Sequence, residues 1–220
     1  MKIAIVTKFL PNRLRPKTGG VFYMVHSFAN ALSQKGHDVT VFSLDDGPPD
    51  AMYHSCKINF PQRFLGSRFF VYYLYPFYLR ALDLEAFDVI HTSGDDWCLQ
   101  KSPQWVRTFY GSSLEEARHS RGFLRTINHY LLYLFEIISL RRCAYSVAIS
   151  VNTTKTLKTD AIVPCPVNQL FNTKKLAFKK TPNPSIPFVG TLNGRKRGRL
   201  LIKKFLLDVI AMHPNSELHL

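Results

Sequence analysis

The chain has 220 residues and a hydrophobic fraction of 46%, enough to bury a core in one or two domains. Lysine and arginine outnumber aspartate and glutamate 29 to 15, a formal net charge of +14, which favours a polyanionic partner such as nucleic acid, an anionic membrane or phosphorylated small molecules. Cys56, Cys98, Cys143 and Cys165 are scattered, so the spacing signals neither a zinc site nor a disulfide framework and fits a reducing compartment.

From the N-terminus, "IAIV" is a continuous apolar run, as in a strand covered on both faces. Lys8 and Pro11 break it, so it reads as a strand and not as a signal peptide. Gly19 and Gly20 precede a helix on which Phe22, Val25, Phe28, Ala29 and Leu32 form one stripe. Gly36 sits where such a helix ends, and "HDVTVFSL" resumes an extended pattern. This is a βαβ unit with parallel strands and a right-handed crossover.

The apolar runs Phe69–Leu79 and Tyr130–Leu140 both fall short of the ~20 residues a bilayer span needs. Further strands are expected at "FDVIHTS" (Phe87 to Ser93), "WVRTFYGSS" (Trp105 to Ser113), "SVAISV" and "DAIVPCPV". A long helix is expected from about Arg121 to Arg142, with Leu124, Leu131, Leu134, Phe135 and Ile138 inward. A second helix starts at "NTTKTLK", with Asn152 as its cap. Strands alternating with helices imply an α/β, doubly wound, mostly parallel Rossmann-like sheet over residues 1–171. Residues 172–185 read as a linker. Residues 186–220 begin a second βαβ that stops at "ELHL", an incomplete opening of a further domain.

The sharpest chemical signal is "VGTLNGRKRGRL". A strand feeds a loop with Gly190, Gly194 and Gly198 that carries Arg195, Lys196, Arg197 and Arg199, and a helix starts there. Backbone amides at a helix start, beside fixed cations, suit a diphosphate. No G-x-G-x-x-G or G-x-x-x-x-G-K-[ST] occurs, which argues against a nicotinamide enzyme or a P-loop NTPase. No recognition helix or RNA-binding signature accompanies the charge, so a nucleic-acid partner is not expected.

The early "GG" before the helix, "GHDVTVFS", "FDVIHTSG", "TFYGSS" with Glu115 soon after, "AISVNTTKTL", "VPCPVNQLF" and "FVGTLNGRKRG" occur in this order. Together they resemble the retaining GT-B glycosyltransferases of family four, over nearly the whole chain. The resemblance implies a sugar moved with retention from a nucleotide-diphosphate sugar, bound between two Rossmann-like domains, to a glycan or lipid-linked acceptor. It implies neither a metal nor a cofactor.

Residue by residue, the resemblance puts Gly19, Gly20, Arg195 and Lys196 at the donor phosphates. Tyr110 stands at the position of a family histidine near the donor sugar, and Glu115 falls toward the cleft or acceptor. His91, at its strand end, reads either as facing the cleft or acceptor or, somewhat better, as a satisfied core histidine. Gly20 and Lys196 are then expected to hold one pyrophosphate between them. Thr191 stands where the family commonly has arginine, and Arg197 is an extra residue before Gly198. The family's paired-glutamate segment lies past Leu220. A truncated enzyme, inactive alone, is therefore expected, and the alternative is a non-catalytic remnant or half-enzyme that binds a partner chain.

Two further stretches could carry chemistry. Asp95 and Asp96 in "SGDDW" read as solvated or capping carboxylates in preference to metal ligands. The aromatic and basic stretch from Arg63 to Leu82 could touch an anionic membrane or a lipid-linked acceptor, although aromatic residues at helical spacing more often form core. A cytoplasmic protein, peripheral at the inner membrane surface if so, is expected.

Overall fold

The computed structural model describes residues 1–12, 19–120, 122–166, 183–190, 192 and 196–220. They fall into two units, Met1–Pro166 and Val167–Leu220.

In the first unit, strand β1 (Lys2–Val6) leads to helix α1 (Gly20–Gln34) and then to β2 (Asp38–Ser43) and β3 (His54–Lys57). Short helices α2 (Gln62–Leu65), α3 (Arg68–Tyr73) and α4 (Tyr75–Tyr78) return the chain to β4 (Val89–Thr92), which is followed by β5 (Trp105–Phe109). Helices α5 (Ser113–Arg118) and α6 (Phe123–Arg142) precede β6 (Tyr145–Ala148), and α7 (Val151–Thr156) precedes β7 (Ala161–Ile162). The sheet runs β3-β2-β1-β4-β5-β6-β7, parallel throughout. This is the doubly wound, Rossmann-like α/β architecture expected from the alternating pattern.

Each face of the sheet carries its own core. On the α1 side, Ile3, Ile5, Val39 and Val41 pack with Val25 and Ala29. On the other side, Ala4, Val6, Phe42, Ile90 and Trp105 pack with Val71, Tyr75 and Leu79. Alternate residues of β1 serve the two cores, so its unbroken apolar run is what two covered faces demand. Gly36 takes φ +83° just past α1, a conformation that favours glycine.

Three local expectations change. The α7 cap is Ser150, whose hydroxyl accepts from the Thr153 amide, and not Asn152. The edge strand β3 is exposed along its length, which is why no apolar pattern announced it. Most decisively, the α6 stripe points the other way. Leu124, Leu131, Leu134 and Ile138 are exposed, while Asn128, Phe135 and the buried Ser139 face the body of the unit.

The second unit pairs β8 (Ser185–Pro187) in parallel with β9 (Glu217–His219). Between them run α8 (Gly198–Lys204), a wider turn at Phe205–Val209 and α9 (Ile210–Met212). Gly198 is buried against β8's exit; a Cβ there would stand 2.9 Å from Leu192 Cα and from the Phe188 ring. The linker expected over 172–185 lies outside the described residues as far as 182. Among the described residues no helix is long and apolar enough to cross a membrane.

Candidate functional site

The strand order reverses at β1, which has β2 on one side and β4 on the other. In open α/β sheets ligands collect beyond the carboxyl ends of strands at such a reversal. Here a cavity of about 320 Å³ opens past the ends of β4 and β5. Its walls are the loop Ser93–Trp97, the segment Arg107–Ser113 and one side of α6, with His129, Phe135, Glu136 and Ser139.

The floor of the cavity is charged and sealed. Arg107, in the middle of β5, pairs with the fully buried Asp96. Asp96 also accepts a 2.7 Å bond from Ser139 Oγ. Burial pulls the Arg107 guanidinium down to about 10, against the opposing pull of Glu136 and Asp95, so it stays charged at neutral pH. Glu136 accepts from the Ser113 amide at 3.0 Å and from Ser113 Oγ at 2.7 Å. Burial raises its carboxyl above the usual range, outweighing those bonds and the Arg107 charge. Just past β1, the buried Lys8 pairs with Asp95 and lies 3.6 Å over the Tyr72 ring.

The wall is aromatic. Trp97 stacks on Phe135, with centroids 4.3 Å apart and planes 11° apart. Asp96 Oδ2, Arg107 Nε, Trp97 Nε1 and His129 Nδ1 are buried and find no hydrogen-bond partner among the described residues. Burial lowers the His129 imidazole. Donors, acceptors and aromatic faces therefore share one hollow, and the buried polar atoms left over are satisfied only by a guest or by water.

Within the first unit, the expected site residues do not all meet at this cavity. Tyr110 lines it, and burial raises its phenol, so the hydroxyl stays protonated and donates. His91 sits on the opposite face of the sheet, against the Phe28 ring of α1 and 2.9 Å from Thr108 Oγ1. Glu115 lies on the outer side of α5, bonded to Arg118 at 2.7 Å. Gly19 precedes α1 in ordinary extended conformation, φ −69°, and a Cβ on Gly20 would meet nothing within 4 Å. Neither glycine is needed to turn the chain. Lys196 belongs to the second unit and is exposed, and Arg195 lies outside the described residues. Gly20 is in the first unit, and each of the two is described within its own unit.

Asp96 is fully buried and Asp95 is partly buried, and each faces a cation in place of capping a helix. The residues that sequence reading passed over are Lys8, Arg107, Glu136 and Ser139. Arg107 had a signal, a charge inside the otherwise apolar strand "WVRTF", and so did Glu136 within "YLLYLFEIISL". A charge within a covered element needs a buried partner.

Residues 18–170 match the family model described as Glycosyltransferase Family 4. The chain belongs to that family. No curated protein matches the sequence. Among solved structures, this family 4 chain is similar to sucrose-phosphate synthase from Thermosynechococcus elongatus, with TM-score 0.60 and 15% identity, covering 99% of this chain and 61% of that one. It is also similar to WaaG, a glycosyltransferase involved in lipopolysaccharide biosynthesis, with TM-score 0.61 and 15% identity, covering 98% of this chain and 62% of WaaG. At that identity the likeness is one of fold, the GT-B architecture. The chain spans about three fifths of the length of these two structures.

Proposed function

We propose that this chain carries the acceptor pocket of a glycosyltransferase that moves a sugar, with retention, from a nucleotide-diphosphate sugar to a hydroxyl of a glycan or lipid-linked acceptor. Residues 186–220 are assigned to the opening of the nucleotide-sugar-binding domain. The observation that carries the reading is the cavity past the ends of β4 and β5, with unpartnered Asp96, Arg107 and Trp97 atoms beside aromatic faces. Sugar hydroxyls both donate and accept, so a mixed donor-acceptor floor suits them, and aromatic rings suit the apolar face of a pyranose.

In the reaction the bond between the anomeric carbon and the phosphate oxygen breaks, and the acceptor oxygen bonds to that carbon. The acceptor's proton departs with the nucleoside diphosphate. Negative charge grows on the leaving oxygen, and fixed cations and amides lower its energy. We assign this role to Lys196 and Arg195 and to the Gly19–Gly20 segment, where the missing side chains let a phosphate approach the amides that open α1. Tyr110 is assigned as a hydrogen-bond donor to the donor sugar or acceptor. A base role does not suit a phenol that burial keeps protonated.

The test is binding and turnover together. The protein is titrated with a panel of nucleotide sugars and neutral glycans while the two tryptophan indole signals are followed by NMR. A glycan that moves the Trp97 signal but not that of buried Trp105, with a nucleotide sugar consumed in its presence, supports the proposal. Failure of every sugar in the panel to move Trp97 overturns it.

A further inference from the structure

Helix α6 carries two stripes of the same period, a mixed polar and apolar inner one and an apolar outer one. The inner one, Asn128, Leu132, Phe135 and Ser139, advances by four, three and four residues and meets the cavity and its surroundings. The outer one, Phe123, Ile127, Leu131, Leu134 and Ile138, advances by four, four, three and four. Leu124 and Tyr130 widen it. It faces solvent: Phe123 is 78% exposed, Leu124 81% and Leu134 57%. A helix of a globular unit normally spends its only apolar stripe on the core. An exposed stripe this continuous marks an interaction surface.

The inner side of the helix meets α3. Tyr73 of α3 donates to Asn128 Oδ1 at 2.6 Å and packs on Phe135. Its neighbour Phe69, 4.9 Å away centroid to centroid, is 64% exposed. Charge selects the occupant. Among the described residues the only acid on α6 is Glu136, which is turned inward to Ser113. Arg125 and Arg141 are exposed toward the two ends of the helix. A protein with formal net charge +14 adds a long-range pull toward anionic surfaces. An apolar stripe with cations at its ends and no exposed acid is the pattern of a helix lying in an anionic lipid interface. A second copy of the chain would bring like charges together.

We propose that the outer face of α6 docks this protein on an anionic lipid bilayer, the helix lying in the plane of the interface. The stripe that the sequence pattern assigns to the core is then the membrane face, and Phe135 and Glu136 on the opposite side of the same helix line the cavity. The inference stands on exposure and charge and not on the transferase reading.

The experiment is co-sedimentation of the full chain with phosphatidylcholine vesicles, with and without phosphatidylglycerol, at low and high salt. Binding is expected only with phosphatidylglycerol and is expected to weaken with salt. The pair Ile127→Ser and Leu134→Ser is expected to weaken it on the order of tenfold or more, given the apolar groups removed from the interface. Arg141→Glu is expected to weaken it at low salt only. Both variants change exposed side chains, and their thermal unfolding is followed by circular dichroism to show that they fold. Absence of binding to anionic vesicles overturns the proposal, as does binding that folded variants retain in full. A concentration-dependent dimer that the serine pair dissolves also overturns it, because the face then belongs to a second copy. Vesicle binding needs no donor or acceptor, so its outcome is separate from that of the sugar-binding test.

Discussion

Arg107 and Asp96 form an ion pair with both side chains sealed from solvent, one in the middle of β5 and the other in the loop after β4. The pair ties together the two strand ends over which the cavity opens. Removing one partner of such a pair leaves a buried charge without its counterion, which costs about 3–5 kcal/mol. Arg107→Met is therefore expected to be severely destabilising in urea unfolding. Arg107→Met with Asp96→Asn is expected to cost much less than the sum of the single changes. Additive costs in that cycle would show that the two side chains do not depend on each other.

His91 is where stability should respond to acid. Burial between Phe28 and Thr108 holds its imidazole down at about 4. In the unfolded chain it titrates near the ordinary value of about 6.5. The folded state thus refuses a proton that the unfolded state accepts. The contribution is fully present above about pH 6.5 and is lost as pH falls toward about 4, a change on the order of 3 kcal/mol. His91→Asn keeps a polar partner for Thr108 without titrating. Its urea midpoint is expected to fall less steeply over that window than the parent's; parallel curves would exclude His91 as the cause.

How far the sequence revealed this molecule depends on whether one element decides the matter or two. The strands and α1 were legible because their patterns are local: "IAIV" needs two covered faces and Gly36 stops a helix. The facing of α6 was not legible, because its two stripes have the same period and only packing chooses between them. Asp96 read as a surface carboxylate because its partner, Arg107, stands eleven positions later and on another strand. Lys8, which merely seemed to interrupt the first strand, meets Asp95 only through the β1–β4 pairing. The cavity is built from such non-local pairs, so it was the least legible part, although Tyr110 in its wall was singled out.

Two glycines separate structural from ligand-facing demands. At Gly198 an added Cβ would press on Leu192 backbone and the Phe188 ring. Gly198→Ala is expected to destabilise the second unit by about 1–3 kcal/mol through overpacking. At Gly20 the same change meets open space and is expected to be neutral or stabilising by about 0.4–1 kcal/mol, because it narrows the unfolded ensemble. If a phosphate approaches the α1 amides, Gly20→Ala should nonetheless weaken nucleoside diphosphate binding. Thermal shift reads the first effect and calorimetric titration the second. Unchanged diphosphate affinity in a folded Gly20→Ala protein would remove Gly20 from the donor site.

Glu136 combines a structural and an electrostatic role, and two substitutions separate them. Its carboxylate receives both the amide and the hydroxyl of Ser113, the first residue of α5. That hold orients the segment from Tyr110 to Ser113 along the cavity wall. Glu136→Ala leaves a backbone donor and a hydroxyl without their acceptor and is expected to cost about 1–3 kcal/mol. Glu136→Gln keeps an acceptor but not the charge and should cost less. The pH dependence tells them apart further. Burial raises the folded carboxyl above its unfolded value, so the folded state holds the proton more tightly. The stability from that protonation is fully present below the unfolded value and is lost as pH rises through the folded one. Glu136→Gln cannot titrate, so the parent should gain on it as pH falls from neutral into the carboxylate range. Urea midpoints of both proteins at neutral and acidic pH measure this gain. A constant gap would mean that the carboxyl does not feel its burial, and the cavity floor would then be wetter than the Asp96–Arg107 pair requires.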